Sequence, residues 1–144
     1  MKTKKTPYSS SAIGCMIGSA NQILLSQLEN ALRDAALPLT PLEYLVLRAI
    51  YSQEGLQQCE IADMVGRDRA GVCRAVSALV KKGLVATQTV SYKCMRVYLT
   101  DKSRAMEPKV LHVADSRHQA LLDLVGTEKF EVFNEVLQKI IKSK

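Results

Sequence analysis

No two of the four cysteines, Cys15, Cys59, Cys73 and Cys94, are spaced as C-x-x-C, and only two histidines, His112 and His118, could join them. That excludes zinc-finger and catalytic-zinc spacings, and a disulfide framework would need an oxidising compartment that nothing else suggests. The histidines lie six residues apart, on different faces of any helix, so they share no metal. Gly66 and Gly71 have P-loop separation but are followed by Val72-Cys73 rather than Lys-Ser/Thr. No serine, histidine and acid fall in a strand-turn-helix context that would suggest hydrolysis. The expectation is a protein without enzymatic chemistry, metal or cofactor.

No apolar run approaches the roughly 20 residues that span a bilayer. Lys2, Lys4 and Lys5 precede Ala12-Ile13-Gly14-Cys15, loosely like a lipoprotein cleavage site, yet Pro7 to Ser11 is polar where an apolar stretch is required. No signal peptide is read, and a soluble cytoplasmic protein is expected. Internal repeats are also absent, and low complexity is confined to residues 2–11.

Acidic residues are scarce in one place only. Between Gly66 and Arg96 the basic residues Arg67, Arg69, Arg74, Lys81, Lys82, Lys93 and Arg96 face the single acid Asp68, so this stretch carries the whole net charge of +6. A positive charge so concentrated is the footprint of polyanion binding. With 47% apolar residues the chain can bury a core, and its length fits one compact domain.

Proline is missing from Ala12 to Ala36, where Ile13, Ile17, Leu24, Leu28 and Leu32 recur at helical spacing. That predicts one long helix, ended by Pro38, with too few early neighbours to bury its stripe. Thr40-Pro41 with Glu43 opens a second helix as a capping box does, with Leu45, Val46, Ala49 and Ile50 as its buried face and Glu54-Gly55 as its stop. Leu56 to Val65 reads as a short third helix closed by Gly66. Asp68 caps a fourth, in which Val72, Val76, Leu79 and Val80 form a stripe ending at Gly83. Two short helices joined by a tight turn, the second basic, make a helix-turn-helix.

Leu84 to Val90 and Met95 to Leu99 alternate, with Ser91 to Cys94 as a hairpin tip, and so predict a wing. Two terminal helices follow, one lined by Met106, Val110, Val113, Ala114, Leu121 and Leu122, started or kinked by Pro108. The other, after Gly126-Thr127, is lined by Phe130, Phe133, Leu137, Ile140 and Ile141. Their charges nearly cancel, which suggests protein contacts rather than DNA contacts. The predicted fold is mainly α with a small β-hairpin wing. It comprises an arm and dimerisation helix (1–37), a winged helix-turn-helix lobe (38–102) and C-terminal dimerisation helices (103–144).

Thr40-Pro41-Leu42-Glu43-Tyr44, Ile61-Ala62, Leu79-Val80-Lys81-Lys82-Gly83-Leu84-Val85 and Leu99-Thr100-Asp101-Lys102, in this order between long helices, resemble the bacterial MarR family over nearly the whole chain. The resemblance implies a triangular homodimer with interlocked terminal helices above two DNA-binding lobes. It also implies a small-molecule effector pocket between helices and lobe. The function expected is a transcriptional regulator, a ligand-responsive repressor, binding a pseudo-palindromic operator in double-stranded DNA.

The sequence departs from the family pattern in two regions. Small hydroxyl residues usual early in the recognition helix are replaced by Ala70, Gly71 and Cys73, and the usual Asp-x-Arg wing tip by Ser91 and Lys93. Arg67, Arg69 and Arg74 are the leading candidates for DNA contact, to guanine or to phosphate. Ser77, Lys81 and Lys82 are assigned to phosphates, and Lys93 and Arg96 to the minor groove or its flanking phosphates. Cys15 stands near where the family's hydroperoxide-sensing branch has its reactive cysteine, so a thiol-based redox regulator is one alternative. A winged-helix adaptor for acidic proteins is another. Cys59 and Cys73 are expected to pack between helices and Cys94 to be exposed.

Overall fold

The computed structural model describes residues 12–143. The reading of residues 2–11 as a polar arm lies outside them. The first helix, α1 (Ile13–Asp34), ends in a Schellman turn, with Ala36 N–H donating to Arg33 and Leu37 N–H to Leu32. Ala36 takes the left-handed conformation (φ 56°) that this turn requires at that place.

The second helix, α2 (Pro41–Ser52), starts with the expected reciprocal cap. Glu43 N–H donates to Thr40 Oγ1 (3.2 Å) and Thr40 N–H to Glu43 Oε1 (3.5 Å). Its buried face is Tyr44, Val46, Leu47, Ala49 and Ile50, whereas Leu45 is only partly covered.

The expected third helix is shorter than its sequence suggested. Leu56–Gln57 forms a two-residue strand, β1, and α3 runs over Gln58–Val65. A second capping box, from Gln57 and Glu60, opens α3, and Gly66 (φ 65°) closes it. Next comes α4 (Arg69–Lys81), capped by Asp68, whose carboxylate accepts from Gly71 N–H at 3.1 Å. It ends in a second Schellman turn built on Gly83 (φ 73°), which brings Leu79 and Leu84 together.

The strands β2 (Val85–Ser91) and β3 (Cys94–Leu99) pair antiparallel, with β1 on the other side of β3. Of β2 only Val85 is buried, so the alternation read in Leu84 to Val90 does not mark a core face and the hairpin projects into solvent.

Two helices complete the chain, α5 (Asp101–Val125), which contains Pro108 without interruption, and α6 (Thr127–Ile141) beyond Gly126. The core lies inside the central lobe and includes Leu32, Leu47, Ile50, Ile61, Leu79, Leu84, Val97 and Val110. Each such side chain contributes about 1.5–3 kcal/mol on burial. Little of the terminal helices joins it: α1 buries Leu32 alone, α6 buries nothing, and Ile17, Leu24, Phe133 and Ile140 stand in solvent.

Candidate nucleic-acid interface

Helix α4 divides cleanly by period. Gly71, Val72, Ala75, Val76 and Leu79 face the core, while Arg69, Ala70, Cys73, Arg74, Ser77 and Lys81 form an exposed strip on the opposite side. Arg67 is exposed in the turn that leads into the helix. Three arginines, a hydroxyl and a lysine therefore share one accessible surface along about three turns.

The same geometry corrects several expectations. Gly71 points inward, and a Cβ there would lie 2.9 Å from Asp68 Oδ1; it preserves the helix cap and offers nothing to a groove. Cys73 is exposed rather than packed between helices, and Val80 is partly exposed instead of completing the buried apolar stripe. Cys94 is half-buried, not exposed.

Lys82 turns away from the strip. Its Nζ donates to both carboxylate oxygens of the buried Glu43 and to Pro38 O at 2.7 Å. Arg96 is likewise engaged, its guanidinium donating to Gly55 O at 2.6 Å. Both cations hold the lobe together.

The wing is anchored where it meets the helices. Thr100 Oγ1 donates to Gly83 O (2.7 Å) and Lys102 Nζ to Lys82 O (3.0 Å), so the start of α5 caps the last carbonyls of α4. Glu54 accepts from Leu99 N–H (2.9 Å) and from Arg104 (2.7 Å). These bonds, with the Arg104 contact foremost, hold the Glu54 carboxyl below the usual carboxylate range. At the far end, Ser91, Tyr92 and Lys93 are all exposed. Tyr92 went unnoticed in the sequence because it stands between the two positions that the family pattern singles out.

Above the lobe, Leu24, Leu28, Tyr44, Arg48, Ala114, Arg117 and Leu121 line a cleft of about 220 Å³ between α1, α2 and α5. The Arg48 guanidinium lies 5.9 Å from the centre of the Tyr44 ring, and Arg117 donates to Gln27. Burial pushes the Tyr44 phenol above its ordinary value, with Arg48 pulling the other way. Cys15 is exposed on the first turn of α1, and His118 packs edge-on against Phe130 at 5.0 Å. Among the described residues no three His, Cys, Asp or Glu side chains gather as a metal site, and no helix is long and apolar enough to cross a membrane.

The MarR-family model matches residues 37–91, which run from the end of α1 through the helix-turn-helix into the wing. Over that segment the chain is similar to the MarR family. Its similarity to the uncharacterized HTH-type transcriptional regulator YybA of Bacillus subtilis (strain 168) is 25% identity over 109 residues, 74% of this chain and 73% of YybA.

Solved structures share the fold. The transcriptional repressor CouR bound to a 23-mer DNA duplex superposes with a TM-score of 0.82 at 24% identity, covering 98% of this chain and all of that one. CouR from Rhodococcus jostii RHA1 bound to p-coumaroyl-CoA gives 0.80 at 21%, covering 96% and 98%. At these identities the likeness shows the fold, mainly helical with a small three-stranded winged-helix sheet.

Proposed function

We propose that this protein is a transcriptional regulator that binds a pseudo-palindromic operator as a homodimer, presenting one α4 to each of two successive major grooves. The observation that carries the reading is the exposed strip of Arg69, Arg74, Ser77 and Lys81, set opposite the buried Val72, Val76 and Leu79. A helix held in this way offers its first turns to base edges, and its later residues to phosphates. Ala70 and Cys73 lie between the arginines and are short enough to let the helix approach closely. Arg67, at the entry to the helix, adds a further phosphate contact.

The apolar faces of α1 and α6 support dimerisation. Ile13, Met16, Ile17, Leu24, Phe133 and Ile140 border a groove of about 450 Å³ that a monomer leaves in water. A second copy covering it would set the two α4 helices at the one-turn spacing of operator half-sites, about 34–36 Å.

The cleft at Arg48 and Arg117 suits a small anionic effector with an apolar body, because these two arginines line it together with Leu24, Leu28 and Leu121. It touches α1, α2 and α5 together, so filling it would alter how the terminal helices hold the lobe. Repression relieved by such a ligand, in the cytoplasm, is the regulatory mode proposed.

Equilibrium binding to duplex DNA across a salt series tests the core of this reading. Affinity should fall steeply as salt rises, through release of counterions by the cations of α4 and the wing. An affinity that stays unchanged across the series would instead favour an adaptor that uses its basic face on acidic proteins.

A further inference from the structure

From Arg69 to Thr100 the chain contains no acidic residue, and its tip, Tyr92-Lys93, ends a finger about 20 Å long at ~3.3 Å per residue, from the Val85–Leu99 pair to the Ser91–Cys94 pair. Tyr92 is 96% exposed at that tip. Neither packing nor turn geometry asks for a tyrosine there. The ring touches no core, and neither Tyr92 nor Lys93 has a positive φ, so this two-residue turn is not the primed type that hairpins favour. A register shift between Thr89 and Ser91 accompanies it. A large aromatic held in water at the end of a projecting, acid-free hairpin is a local cost without a local return, which is where functional residues are found.

The other cation of the wing does not compete for that role, since Arg96 is spent on Gly55 O near the base of the hairpin. Only Lys93 carries free charge at the tip. We propose that Tyr92 is a DNA contact of the wing tip, its ring lying against the sugar walls of the minor groove and its hydroxyl donating to a purine N3 or pyrimidine O2. This rests on the DNA-binding reading above. A neutral phenol gains nothing from the enhanced negative potential of a narrow groove, which attracts cations. Tyr92 therefore contributes through contact and one donated hydrogen bond, while Lys93 supplies the charge.

The test uses the full chain and a 30-base-pair duplex recovered by the wild-type protein from a random pool. Tyr92→Ala should weaken binding on the order of tenfold and leave the slope of affinity against salt unchanged. Tyr92→Phe should lose part of that affinity. Lys93→Ala should lower the salt slope by about 1. Hydroxyl-radical protection in the minor groove at the operator flanks should vanish with Tyr92→Ala. The exposed position leaves thermal stability unaltered, so a folded variant is available. An unchanged affinity and footprint for Tyr92→Ala, with Arg74→Ala still defective, overturns the proposal, as does a loss that comes with a reduced salt slope. If the wild-type chain recovers no duplex, the DNA-binding reading itself fails, and this inference with it.

Discussion

Lys82 and Glu43, 39 residues apart, form an ion pair that ties the end of α4 to the first turn of α2. The Glu43 side chain is 5% exposed and that of Lys82 36%, and the same ammonium also holds Pro38 O. Removing the lysine would leave a buried carboxylate with only the Thr40 N–H. Loss of one partner of a fully buried pair costs about 3–5 kcal/mol, and the half-open lysine reduces this to roughly 1–3 kcal/mol. Lys82→Ala should therefore shift the urea midpoint downward, whereas Lys81→Ala should leave stability within about 0.5 kcal/mol and weaken duplex binding. Equal stability of the two variants would contradict this division of labour.

Ala36 occupies the left-handed position of the turn that ends α1, where glycine carries no Cβ penalty. An L-residue pays about 1–2 kcal/mol in that conformation, and the greater freedom of unfolded glycine returns part of the gain. Ala36→Gly should raise stability by up to about 1 kcal/mol, read as a higher thermal midpoint. A lower midpoint would mean that the turn is not strained.

Tyr51 donates to the carbonyl of Ser103 in the first turn of α5. Burial, helped by Glu107, pushes its phenol up to about 12, whereas an unfolded tyrosine titrates near 10. The raised value means that the folded state favours the neutral phenol. Its contribution is complete below about pH 10 and is lost as pH rises toward 12. Tyr51→Phe should cost about 1 kcal/mol at neutral pH and show a shallower alkaline fall in urea midpoint than the wild type. Parallel curves would refute the assignment.

The apolar faces of α1 and α6 predict self-association. Sedimentation at micromolar concentration should give about 32 kDa, twice the chain mass of 15.9 kDa, and Phe133→Asp, at the groove between the two helices, should shift the mass toward one chain. A folded wild-type monomer would contradict the dimer.

Much of the frame was legible in the sequence because it is specified locally. Thr40, Pro41 and Glu43 announce the start of α2, Asp68 that of α4, and Gly83 its end, since each cap is a bond between residues a few positions apart. The contacts that reassign site residues are not local. Lys82 looked like one more cation of a basic helix because its partner lies in another helix, and Arg96 because Gly55 O becomes an acceptor only once the loop before β1 has turned. β1 has two residues, too few for any periodicity, and exists because Leu56 and Gln57 meet Val97 and Arg96. Gly71 fell among the groove candidates because it stands between Ala70 and Cys73 in the first turns of the helix. Only the phase of α4 against the core reveals that it points inward.

Selection of duplexes from a random pool by the full chain, run beside Arg74→Ala, tests the central claim most directly. The wild-type protein should enrich a pseudo-palindrome whose half-sites lie about one helical turn apart. If Arg74 reads guanine, its alanine variant should flatten preference at one base pair per half-site, at a cost of roughly 1–3 kcal/mol on the cognate site. A pool that shows no enriched symmetric motif with the wild-type chain would contradict the account.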